Sequence, residues 1–166
     1  MTKYFSVVLA GSLLLLAQSA AGQEQFQNPN QARFSYAVKF VCSPGNEDLG
    51  EGILPGVYGT AINVHNPFLQ RPVVYFKKFV RGFVNQEQGP PTEFERTELQ
   101  PNHAFEVECF EILGRLGNPP TATGFVVLLT RRPLDVTAVY TAGPLDGTVA
   151  SIDVEEIQAR RLSQSQ

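Results

Sequence analysis

RFSYAVKFVC, residues Arg33 to Cys42, sets Phe34, Tyr36, Val38, Phe40 and Cys42 on one face of an extended chain and Ser35, Ala37 and Lys39 on the other. Alternation of aromatic and β-branched residues with small or polar ones marks a strand with one buried face. The same period recurs along the chain. Tyr58, Thr60, Ile62 and Val64 form an alternating face that ends at His65-Asn66-Pro67; Phe105, Val107 and Cys109 alternate with Glu106 and Glu108; Leu134, Val136, Ala138 and Tyr140 alternate with Asp135 and Thr137. The stretch GFVVLLT, Gly124 to Thr130, is apolar on both faces, as a central strand covered on both sides would be.

Twelve prolines punctuate these runs. Proline has no N–H for a sheet ladder, so it belongs between strands or at their margins. The intervals give eight expected strands, at about 33–42, 56–65, 73–82, 92–99, 104–112, 123–130, 134–141 and 149–157. Helical periodicity is nearly absent beyond the N-terminus, apart from a short turn expected near EEIQARR, Glu155 to Arg161. The fold class expected is all-β: one antiparallel β-sandwich of about seven to eight strands. An eight-stranded β-barrel is the alternative. GFVVLLT and two inward-facing cysteines favour the sandwich, since barrel strands should alternate throughout.

The N-terminus carries Lys3, the apolar run YFSVVLAGSLLLLA (Tyr4 to Ala17) and then Ser19, Ala20, Ala21 and Gly22. That order is a signal peptide, too short for a span of ~20 apolar residues. Cleavage is expected after Gly22, with Ala20 and Gly22 as the small residues a signal peptidase reads, and cleavage after Ala21 is nearly as good. The organisation expected is therefore a signal peptide at 1–22, a polar segment at 23–32, a β-sandwich domain at 33–158 and a polar tail at 159–166. Loss of Lys3 leaves 12 basic against 16 acidic residues, a more acidic balance than the net −3 of the full chain. A general nucleic-acid partner is disfavoured, because phosphate binding rests on an excess of Lys and Arg. No stretch after the leader is apolar enough for a transmembrane helix.

Cys42 and Cys109 are the two cysteines, 67 residues apart, in a chain bound for an oxidising compartment. A pair in that setting is expected to be bridged, here across the core, because alternation puts both on inward faces. The chain-entropy model values such a loop at roughly 4 kcal/mol.

The phrase GVYGTAINVHNPFLQRPVVYFKKF (Gly56 to Phe79) and the two inward cysteines resemble an immunoglobulin-like β-sandwich. The phrases TAINVHNP, LDVTAVYTA and SIDVEEI are similar to a group of small, uncharacterised secreted bacterial proteins of that kind. The resemblance implies fold and location, and no activity. The chain departs from antibody-type domains in having no Trp and in carrying Val107, not Tyr, two residues before Cys109.

Little in the chain suggests catalysis. Ser35, Ser43, Ser151, Ser163 and Ser165 stand outside any Gly-x-Ser-x-Gly turn, and His65 and His103 have no Asp beside them in sequence to fix a tautomer. Both histidines read as turn residues, so no catalytic, cofactor-binding or metal-binding residue is assigned. The acidic loop Asn46-Glu47-Asp48 with Glu51 lacks the every-other-residue oxygens of a calcium loop. Gly50, Gly52 and Gly56 miss the dinucleotide spacing and read as turn glycines. One patch has the composition of a binding surface: Arg71, Lys77, Lys78 and Arg81 interleave with Tyr75, Phe76, Phe79 and Phe83. The simpler expectation is a hairpin in which Glu93, Glu95 and Glu98 face those cations, and Glu106, Glu108 and Glu111 suggest a solvated acidic face. The function expected is that of a secreted or periplasmic, non-enzymatic binding or structural module, its partner an unknown protein or small ligand. A barrel holding a small apolar ligand is the alternative.

Overall fold

The computed structural model describes residues 26–45, 53, 55–83, 87–146 and 148–163; the leader and the acidic loop lie outside them. A 3-10 turn, Pro29–Gln31, precedes ten strands: β1 Phe34–Pro44, β2 Val57–His65, β3 Val73–Gly82, β4 Gln88–Pro91, β5 Glu95–Leu99, β6 Ala104–Glu108, β7 Ala122–Thr130, β8 Asp135–Gly143, β9 Ser151–Glu156 and β10 Arg160–Arg161. Among the described residues one α-helix, α1, spans Cys109–Arg115.

All pairings are antiparallel, and they join the strands in one path, β4-β3-β7-β1-β2-β8-β9, with β5 on β3, β6 on β2 and β10 on β1. The path does not close, so the barrel alternative is not the fold. It folds over at β1, which pairs with β7 from Phe34 to Cys42 and then turns Ser43 and Pro44 to Tyr58 and Val57 of β2. The first layer is thus β3-β7-β1 with its flanking strands, and the second is β6-β2-β8-β9. β1, β7 and β3 stand where strands B, E and D of an immunoglobulin-type sandwich stand, and β2, β8 and β9 where C, F and G stand.

The alternation in β1 explains why the layers close. Tyr36, Val38, Phe40 and Cys42 are buried against Val126 and Leu128 of β7, Ile62 and Val64 of β2, Val107 of β6, and Val136 and Ala138 of β8 in one core. Each large side chain fully buried there contributes about 2 kcal/mol by area. Side-chain oxygens stitch the layers together. Thr60 Oγ1 accepts from Val41 N and donates to Val41 O, both at 3.0 Å, extending the ladder where β1 leaves its layer. The Tyr36 hydroxyl donates to Leu134 O and accepts from Leu134 N, both at 2.8 Å.

Three expectations need correction. The strand expected at 104–112 stops at Glu108, and Cys109 opens a helix. Cys109, Ile112, Leu113 and Leu116 repeat at helical spacing and pack on the core, while Phe110 on the opposite side is 90% exposed. The helix ends in a Schellman motif, with Asn118 N donating to Leu113 O at 2.8 Å and Gly117 at φ 86°. The turn expected at Glu155–Arg161 is instead the end of β9, a short link and β10. The polar ends also pack on the domain. Phe26 and Ala32 are buried with Phe76 in a second cluster on the outer face of the first layer, Leu162 joins it, and Arg160–Arg161 pair with β1. That cluster covers only part of the strand GFVVLLT: Leu129 lies under it, whereas Phe125 is 42% exposed beneath Lys39.

Candidate functional site

Cys42 and Cys109 form a disulfide with Cα atoms 5.5 Å apart, tying the first layer to the start of α1. Thr60 N points at the Cys109 sulfur, 3.2 Å away. The bridge is a tie between the layers.

His65 does have an aspartate beside it, which its sequence neighbours do not reveal. The β2–β8 register sets His65 directly opposite Asp135, and Nδ1 lies 3.0 Å from Asp135 Oδ2. Nε2 meets Asn102 Oδ1 at 3.2 Å, with Asn102 in the left-handed region at φ 54°. Oxygen acceptors at both nitrogens favour the ring with two protons, so the hydrogen bond to Asp135 first and that to Asn102 second raise its pKa. With both nitrogens engaged, the ring is a strand-end clasp and has no nitrogen free to serve as a base. His103 holds the carbonyl of Pro101 at 2.7 Å. Ser43 is buried, its hydroxyl accepting from Gly45 N, while Ser151 and Ser163 are exposed; Ser165 is outside the described residues. Among the described residues, no group of three His, Cys, Asp or Glu side chains converges on a point where a metal could sit.

Asn66, which sequence reading passed over, is fully buried. Its Nδ2 reaches the carbonyls of Arg71, Leu99 and Gln100 at 2.9–3.0 Å, and its Oδ1 accepts from Phe68 N. An Asn before Pro at a strand end is the signal that could have marked it.

The cationic and aromatic patch is consumed by the fold. β5 pairs with β3 and sets Glu95 opposite Lys77, but of the three acids expected to face the cations Glu98 falls opposite Val74 and Glu93 lies before the strand. The ion pairs are rearranged, however: buried Lys77 meets Glu111 of α1 between the rings of Phe79 and Phe105, and Glu95 meets Arg115 at 2.8 Å. Lys78 lies over Phe94 and Arg81 over Phe83, while Phe76 turns outward to Phe26.

The outer face of the second layer is a different case. Cross-strand register aligns Glu108, Ala61, Val139 and Val154 in one row, Glu106, Asn63, Thr137 and Glu156 in the next, and Gly59, Thr141 and Ile152 on the other side. Ile152 and Val154 are 64% and 62% exposed. A side-chain hydrogen bond with Glu106, and after it the charge of that carboxylate, raises the pKa of Glu108 at the far end of this face. Every residue of β9 is exposed, so this strand overhangs the sandwich. Ile157 N donates to Val136 O at 2.8 Å in the β8–β9 register. Because antiparallel bonding alternates, Ser151, Asp153 and Glu155 aim their backbone groups at β8, and Ile152, Val154 and Glu156 aim theirs at the open edge. The acceptor for Val154 N is Asp153 Oδ1, at 3.0 Å. The strand expected at 149–157 placed this element; its overhang follows from where the first layer ends, which no local pattern encodes.

Neither a protein-family model nor a curated protein matches the chain. Among solved structures it is similar to a protein from Thermotoga maritima, described as the crystal structure of Thermotoga maritima 1070. The two share 11% identity over 80% of this chain and 97% of that one, with a TM-score of 0.50. At that identity the likeness is one of fold alone. No helix among the described residues is long and apolar enough to cross a membrane.

Proposed function

We propose that this chain is a secreted or periplasmic, non-enzymatic β-sandwich that acts as a binding module, taking a protein partner along the open edge of β9 and the adjoining outer face of the second layer. One observation carries the reading: Ile152 and Val154 are exposed side by side on β9, the strand that ends the path of pairings. An unpaired edge is a template for strand addition, and exposed apolar side chains beside it supply pockets for alternate residues of the incoming strand. The leader and the Cys42–Cys109 disulfide support the compartment. The acidic balance argues against nucleic acid as partner.

An array of short extended peptides tests the edge reading. Peptides that bind the wild-type protein should fail to bind Val154→Pro, which lacks an edge N–H and leaves the bonds to β8 in place. Equal binding of every peptide by both proteins would contradict it. Location is tested by N-terminal sequencing of exported protein, which should start at Gln23 or Gly22; a retained Met1 on extracytoplasmic protein would overturn the leader.

A further inference from the structure

We propose that the partner strand taken by β9 alternates cationic and apolar residues, the cations facing Asp153 and Glu155 and the apolar side chains facing Ile152 and Val154. The proposal rests on the reading of β9 as the docking edge and specifies the chemistry of what docks there. Residues opposite one another in paired strands share a face. On β9, Asp153 and Glu155 share the face of Tyr140 and Ala138, their partners on β8, whereas Ile152 and Val154 share the face of Thr141 and Val139. An added strand therefore meets carboxylates on one side and β-branched carbons on the other, in strict alternation.

Among the described residues the ion pairs engage His65 with Asp135, Lys77 with Glu111 and Arg115 with Glu95, and none of them involves Asp153, Glu155 or Glu156. Their field is felt nearby: burial first, and then Glu155 and Asp153, push the Tyr140 hydroxyl up to about 12. A second copy of the chain is a poor occupant. Two β9 strands paired antiparallel about Asp153 would set Asp153 against Asp153, and paired about Val154 they would set Asp153 against Glu155. Like charges directly opposite destabilise a ladder, and the net −3 of each chain adds to the repulsion. The same acids that oppose self-pairing in these two registers select a basic strand.

Fluorescence anisotropy with labelled seven-residue peptides on the purified protein tests this. The probes are an alternating Lys/Val peptide, an alternating Glu/Val peptide and a Lys/Val peptide of the same composition with its lysines in one block. The alternating Lys/Val peptide should bind, with affinity falling about tenfold in Asp153→Asn with Glu155→Gln, as the loss of two cross-strand charge pairs implies. Asp153→Lys with Glu155→Lys should exchange the preference to the Glu/Val peptide. These positions are exposed, so the variants should keep the wild-type circular dichroism spectrum. Equal binding of the Glu/Val peptide by the wild type would overturn the charge assignment and leave the docking edge standing. Equal binding of the blocked peptide would overturn the alternating strand. Binding of neither alternating peptide would remove the edge reading together with the proposal.

Discussion

Asn66 and His65 are adjacent in sequence and serve different ends. Asn66 joins the loop after β2 to the end of β5 through three backbone carbonyls and one backbone amide. Asn66→Ala leaves these buried and part-buried groups without that partner, and the expected loss is about 3 kcal/mol in urea unfolding. A loss no greater than that of an exposed Asn→Ala, such as Asn30→Ala, would show that water replaces the amide. His65 adds a pH dependence. Asp135 and Asn102 raise its pKa in the folded state, so its clasp is fully present below the ordinary value of 6.5 and is lost as pH rises through the raised value. The wild type should therefore exceed His65→Gln in urea midpoint at pH 5.5 and lose that advantage above neutrality; a constant gap across this range would contradict the clasp. Inward residues such as Tyr36, Val38 and Phe40 were legible from alternation alone. The Asp135 partner was not, because only the β2–β8 register brings positions so distant in sequence together.

At the scale of elements, period-two runs located most strands, while the boundary at Glu108 required weighing two periods over the same residues. The run from Phe105 to Cys109 alternates, yet Cys109, Ile112, Leu113 and Leu116 form a helical face, and LGN at Leu116–Asn118 is a helix stop. The short strands β4 and β10 carry no periodic signal of their own and exist by pairing with β3 and β1. The disulfide joins two elements and is the strongest element-scale prediction. Cys42→Ala with Cys109→Ala should lower stability by ~2–5 kcal/mol, through the freed loop and the voids left in the core. Unchanged unfolding with a mass equal to that of the dithiol in the unreduced wild type would contradict the bridge.

Across the whole molecule, the strand path ends at β9 and leaves that surface open. The first layer is covered on its outer side by Phe26, Ala32 and Leu162, which came from stretches that read as polar ends because isolated apolar residues in them give no period. β9 ends the path of pairings in the second layer, and every one of its residues is exposed. The two-sided apolar run GFVVLLT and the inward cysteines indicated a sandwich, but which strand ends the path depends on all pairings at once. The open edge is the central claim, and amide hydrogen exchange of the free protein, resolved by residue, tests it directly. Asp153 and Glu155, bonded to β8, should exchange slowly, and Ile152 and Glu156, turned to the open edge, should exchange near the unprotected rate; equal protection across all four would contradict an open β9 edge.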